Sequence, residues 1–307
     1  ESGNFPVASN DKDAVIQIGT VLSYYGESEP FFKSIITLGG CAKIKGLEDV
    51  EIQSFQDEKK VLLAWTKLIQ EKNPDIITGY NINGFDFQYM YDRAKKLGII
   101  NKFSLLSRLK GEISEFKEKK LASSALGDNF LKYFDMNGRI IIDLMKVAMR
   151  DYKLDSFKLD NVASTFIREK IDGYFPDEKN NKQSIITTTS VYGIKEDDYV
   201  NIMWDDGLTE NKHDQKYKIL KIIKDETNHK LFKITLNGTI PEEAFYTEKH
   251  GGMTKKKNKT FWCHAKDDVS AKEMFKFQKG TDAERGIIAK YCIMDCVLVT
   301  KLMEKTQ

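Results

Sequence analysis

The chain has 307 residues, 41% hydrophobic and 31% charged, with 48 Lys and Arg against 46 Asp and Glu for a net charge of +2. That length carries a full hydrophobic core and more than one folding unit, and the composition excludes a disordered or fibrous chain. No run approaches the ~18 apolar residues of a membrane span, and so small a net charge gives no global field for nucleic acid.

Val15 to Tyr25 (VIQIGTVLSYY) and Phe31 to Leu38 (FFKSIITL) predict two strands, rich in β-branched and aromatic residues and separated by Gly26 and Pro30. Asp57 reads as an N-cap, and Val61, Leu62, Trp65, Leu68 and Ile69 follow at helical spacing until Pro74. Asp75 to Gly79 (DIITG) predicts a short strand, and Phe85 to Leu97 a helix closed by Gly98. Residues 121 to 143 predict a hairpin turning at Gly127-Asp128-Asn129, then a buried strand from Arg139 to Asp143. A helical stretch is expected from Leu144 to about Arg168.

From about Asp177 to Asp268 the pattern changes to short strands at Tyr199–Trp204, Tyr217–Lys224 and Lys230–Leu236, with polar turns and a lysine-rich loop, His250 to Lys259. Three segments are therefore expected. Residues 1–176 and 269–307 form an α/β host of mixed sheet flanked by helices, and 177–268 form an inserted small β-barrel or sandwich. Ala271–Phe277 and Thr281–Lys305 read as helices. The lysines of the loop, Lys255, Lys256, Lys257 and Lys259, suit either phosphate contact or plain solvation on an inert or protein-binding barrel.

Two patterns carry chemistry. In Gly79 to Phe87 (GYNINGFDF) a strand ends, a Gly/Asn loop turns, and Asp86 starts a helix, whose N-terminus favours its charge. In Tyr291-Cys292-Ile293-Met294-Asp295 the Tyr and Asp, four apart on a helix, share a face. Each is a common arrangement alone: a turn aspartate, and an ordinary pair of helical neighbours. The four cysteines (Cys41, Cys263, Cys292, Cys296) are too few for a disulfide scaffold and point to a reducing, intracellular compartment. Cys263-His264 with Cys292 and Cys296 could be assembled into a zinc site on paper, but Cys292 and Cys296 are expected to pack in the core.

Taken together, these segments resemble the 3′→5′ exonuclease domain of family B DNA polymerases, in the flavour of large DNA viruses and eukaryotic delta-type enzymes. Asn81 to Asp86 (NINGFD) is similar to the family's second exonuclease motif and Tyr291 to Asp295 to its third. Gly138 to Asp143 (GRIIID), Tyr152 to Ala163 (YKLDSFKLDNVA) and the Gly3–Pro6 and Val15–Ile18 stretches match three further segments. The resemblance covers residues 3–176 and 270–305. It implies a ribonuclease-H-like fold and proofreading hydrolysis with two divalent ions, Mg²⁺ or Mn²⁺. Asp86 and Asp295 would be metal ligands, and Tyr291 would orient the attacking water. Asn81 and Phe85 would hold the single-stranded 3′ end of the primer DNA. It also implies partners: primer-template DNA, the other polymerase domains and a processivity factor, at a nuclear, cytoplasmic or viral replication site and with no membrane.

The family's first motif, Asp-x-Glu, is the departure. Glu1 stands closer to Phe5-Pro6 than that glutamate usually does, and is expected to be a loop residue. Both ends are expected to be cut from a longer chain, leaving the fragment folded but inactive. Polymerase palm motifs are absent from the sequence. The hairpin near Gly127 is expected to face DNA. Two other classes compete: a non-catalytic DNA-binding or scaffold module of the same fold, and a stand-alone ribonuclease.

Overall fold

The structure, a computed structural model, describes residues 5–27, 29–123, 127–176, 180, 182–248, 255–266 and 269–306. Two compact units are formed, one from Glu1–Lys153 with Asp268–Glu304, the other from Leu154–Asp267 with Lys305–Gln307.

The first unit opens with β1 (Gln17–Leu22) and β2 (Phe32–Leu38), antiparallel from Gln17↔Thr37 to Leu22↔Phe32. A third strand, β3 (Val50–Phe55), runs parallel to β2. It was not expected, because its VEIQSF pattern has only three large apolar residues, and its pairing comes from β2 rather than from local propensity. Helix α1 (Glu58–Lys72) starts where the Asp57 side chain accepts the Lys59 N–H, and stops at Asn73, which takes φ 48° just before Pro74. Next come β4 (Ile76–Gly79), α2 (Asp86–Lys96) and the short α3 (Ile100–Phe103).

The hairpin strands are β5 (Glu115–Ser123) and β6 (Gly127–Asp135). Gly127, Asp128 and Asn129, expected as the turn, lie in β6, and the register runs from Glu115↔Asp135 to Ser123↔Gly127. The base of the hairpin sets that register: Phe116 and Phe134 oppose one another with ring centres 5.2 Å apart, and Phe134 is buried among the helices. Strand β7 (Ile140–Asp143) then pairs in parallel with β4, placing Gly79 opposite Asp143.

The single helical stretch expected from Leu144 to Arg168 is broken. Helix α4 (Leu144–Asp151) ends at an extended Tyr152, and α5 (Leu159–Phe166) begins afresh. Ser156 explains the break: its hydroxyl accepts the Lys158 N–H and its carbonyl accepts from the Asn161 side chain, a turn that competes with helix.

The second unit contains α5, β8 (Arg168–Pro176), β9 (Gln183–Thr188), β10 (Tyr199–Asp205), β11 (Glu210–Lys212), β12 (Tyr217–Lys224), β13 (Phe232–Asn237), the small pair β14 (Tyr246–Glu248) and β15 (Lys255–Lys257), and β16 (Lys259–Ala265). β10 pairs with β16 along one side and with β12 and β11 along the other. With β12–β13, β13–β9, β9–β8 and β8–β16, the pairings close a six-strand antiparallel ring. Val200, Ile202, Tyr217, Ile219, Ile234, Leu236 and Trp262 are all buried in this unit. This unit begins at Leu154, ahead of residue 177, where the sequence pattern changes. The charged β8 sequence, REKIDGYFP, hides its strand character because a bulge between Ile171 and Gly173 shifts its alternation.

The chain ends in α6 (Ala271–Gln278), capped by reciprocal bonds between Ser270 and Glu273, and the long α7 (Asp282–Lys305). Neighbouring residues of β2 serve two cores in the first unit. Ile36 packs with Val61, Leu62, Trp65, Met90 and Phe103 of α1, α2 and α3. Ile35, pointing the other way, packs with Val50, Ala289, Ile293 and Val297, so α7 covers the opposite face of the sheet.

Candidate active site

Strand β4 delivers the chain to Gly79, after which the loop to α2 is wound tightly. Ile82 folds back over Gly79, where a Cβ would lie 2.3 Å from Ile82 Cγ2. Asn81 takes φ 60°, and its carbonyl accepts from the Gly84 and Phe85 N–H groups, both at 3.0 Å. Its side-chain oxygen occupies the space beside Gly84 that a Cβ would need. Asp86 emerges from this loop as the first residue of α2.

Asp86 keeps contact with solvent, yet protein crowds its carboxyl group. Its pKa is pushed up to about 6, first by that desolvation and then by the negative charge of Asp143, against the pull of its own backbone N–H. The neighbouring Tyr80 hydroxyl is pushed up to about 12 by burial and by the same Asp143 charge.

Tyr291 and Asp295 lie one turn apart on α7, both half-buried. Ile293 and Val297 anchor the helix in the core. Cys292 and Cys296 press on β1 at Gly19, where a Cβ would stand 2.8 Å from Cys292 Sγ and 3.1 Å from Cys296 Sγ. The absence of a side chain at Gly19 is what lets α7 come this close. The Cys296 thiol is held well above its ordinary pKa, first by a hydrogen bond with the Cys292 thiol, then by burial, and then by the charges of Asp295 and Asp86.

Phe85 sits between Phe5, edge-on with ring centres 5.2 Å apart, and Tyr89, stacked at 5.4 Å. Phe5 is 76% exposed, so this aromatic group reaches the surface. Asn81 is bound into its own loop, its backbone N–H donating to Asp143. Glu1 and the loop residues 249–254 lie outside the described residues.

Sequence reasoning treated Asp143 only as the end of a strand. In the structure it is buried and caps α4, accepting from Met145 N at 3.1 Å, and it also accepts from the loop amides of Asn81 and Asn83. An aspartate ending an apolar strand directly before a helix is an N-cap signal. The bonds to the loop, spanning 60 and 62 positions of sequence, carry no such signature.

The oxygen donors of Asp86 and Asp295 suit a hard divalent cation. Among the described residues no group of three or more His, Cys, Asp or Glu is arranged to hold a metal. A zinc site from Cys263, His264, Cys292 and Cys296 finds no support. The four cysteines, Cys41, Cys263, Cys292 and Cys296, are free thiols.

Residues 1–162, more than half the chain, match the family described as DNA polymerase family B, exonuclease domain. The chain belongs to that family. It is 41% identical over 295 residues to the DNA polymerase of Pyramimonas orientalis virus, covering 96% of this chain and 21% of that protein. It is 30% identical over 400 aligned positions to the DNA polymerase of Acanthamoeba polyphaga mimivirus, covering 99% of this chain and 23% of that protein. The DNA polymerase delta catalytic subunit of Dictyostelium discoideum matches at 39% over 198 residues, 63% of this chain and 17% of that protein. The chain thus spans about a fifth of the length of these relatives. Among the described residues no helix is long and apolar enough to cross a membrane.

Proposed function

We propose that this chain is the 3′→5′ proofreading exonuclease domain of a family B DNA polymerase, of ribonuclease-H-like fold, acting on the unpaired 3′ end of a DNA primer. The observation that carries this reading is the match of residues 1–162 to the exonuclease domain of family B DNA polymerases, with Asp86 opening α2 and Asp295 one turn from Tyr291 on α7.

Asp86 and Asp295 would hold divalent ions, Mg²⁺ or Mn²⁺. Such ions, when bound, supply an activated water and stabilise the charge of an in-line phosphodiester displacement. A carboxyl raised to about 6 by crowding and a like charge is one that a cation would relieve. Tyr291, one turn from Asp295, would orient the water. Phe85, with Phe5 and Tyr89, offers an aromatic surface on which the last bases can stack. Asn81 shapes the loop that joins these groups. The barrel unit is an accessory to this chemistry.

The test is digestion of a mismatched primer by the polymerase that carries this domain. Asp86→Ala and Asp295→Ala are expected to abolish digestion while polymerisation continues, and Tyr291→Phe to slow it by less, since it removes one hydrogen bond and no charge. Undiminished digestion by either alanine variant would refute the assignment and leave a DNA-binding module of the same fold.

A further inference from the structure

We infer that Asp143 is a positioning residue of the exonuclease site, holding the loop that presents Asp86. This rests on the proposed function above, which it deepens.

Asp143 is 5% exposed and sits opposite Gly79 in the parallel β4–β7 pair, at the point where the loop leaves the sheet. Its Oδ1 accepts from Asn81 N at 2.8 Å and from Met145 N at 3.1 Å, and its Oδ2 accepts from Asn83 N at 3.0 Å. One carboxylate therefore ties three pieces together: the loop before Asp86, the end of β7 and the start of α4. A carboxylate offers about four lone-pair sites. Three are taken by backbone N–H groups, which leaves Asp143 to fix geometry rather than to join the ligand set. The loop's own bonds run from Gly84 and Phe85 to Asn81 O and from Phe87 to Ile82 O, which shape the turn without attaching it to β7. Removing Asp143 would leave two partly buried N–H groups of the loop without that acceptor, and Asp86 would lose its fixed place.

The experiment compares the polymerase carrying this domain with its Asp143→Ala, Asp143→Asn and Asp86→Ala variants by hydrogen exchange without metal and by Mn²⁺ titration. In Asp143→Ala the amides of Asn81 and Asn83 should exchange about tenfold or more faster, while those of the β1–β2 pair hold. The Mn²⁺ binding that Asp86→Ala eliminates should weaken by about 10–100-fold, the range seen when a supporting partner of a metal ligand is lost. Asp143→Asn keeps one acceptor oxygen, so the Asn81 amide should stay protected and Mn²⁺ affinity should fall by less. Unchanged protection of both amides, or unchanged Mn²⁺ affinity, in Asp143→Ala would overturn the inference. If that variant does not fold, wild-type protection of the Asn83 amide together with wild-type Mn²⁺ affinity in Asp143→Asn would overturn it equally. If Asp86→Ala itself leaves Mn²⁺ binding and digestion intact, the failure lies with the exonuclease assignment instead.

Discussion

Glu58 and Arg93 form a two-point ion pair inside the first unit, Arg93 Nε donating to Glu58 Oε1 at 2.8 Å and its Nη2 to Oε2. Both side chains are buried. Glu58 Oε1 also accepts from Val15 N, and Arg93 Nη1 donates to the carbonyls of Ala8 and Asn10. The pair thus staples residues 8–15 to α1 and α2, just after Phe5 meets Phe85.

Arg93→Ala should destabilise the first unit by about 3–5 kcal/mol, because it strands a buried carboxylate. Replacing both residues by Met should recover much of that loss. Urea unfolding of the two variants checks this, and a loss below about 1 kcal/mol for Arg93→Ala would contradict the buried pair.

Gly19 offers a second test, of how α7 is seated. Gly19→Ala puts a methyl group against Cys292 Sγ and Cys296 Sγ, an overpacking that should cost about 1–3 kcal/mol. It should also slow digestion, since α7 carries Tyr291 and Asp295. Adding Cys292→Ala relieves the nearer contact and should restore both stability and rate. No recovery in the double variant would show that Gly19 matters for another reason.

The elements and the motif residues differ in how far the sequence reveals them. The Asp57 cap, the α1 stripe, β4, the start of α2 at Asp86 and the Tyr291–Asp295 spacing are all local patterns, and the structure has each of them. β3, the hairpin register and β8 were hidden because distant contacts decide them: β2 pairing, the Phe116–Phe134 contact and a bulge. The work of Asp143 and Gly19 was hidden for the same reason. Each acts on residues far away in the chain, Asn81 and Asn83 in one case and Cys292 and Cys296 in the other.

The raised pKa of Asp86 has a consequence for stability without metal. The folded protein keeps this group protonated up to about pH 6, whereas an unfolded chain releases the proton near 3.9. The folded state therefore binds more protons between those values, so the group's contribution is full below about pH 4 and is lost as pH rises through 6. Asp86→Asn should match wild type at pH 4 and melt higher at pH 7.5 in EDTA. Because Asp86 still touches water, the gain is about 1 kcal/mol, or roughly 2–4 °C. Mn²⁺ should then raise the melting temperature of wild type more than that of Asp86→Asn. Identical melting of the two proteins across pH 4–8 would argue against a crowded, like-charged Asp86.

The most direct measurement of the central claim, that Asp86 and Asp295 serve one metal-dependent site, is anomalous scattering from a crystal of the domain soaked in Mn²⁺. The expected result is a peak within about 2.0–2.3 Å of a carboxylate oxygen of each residue, or two peaks ~4 Å apart that the pair shares. Peaks that touch neither residue, or one carboxylate alone with the other more than about 10 Å away, would contradict the account.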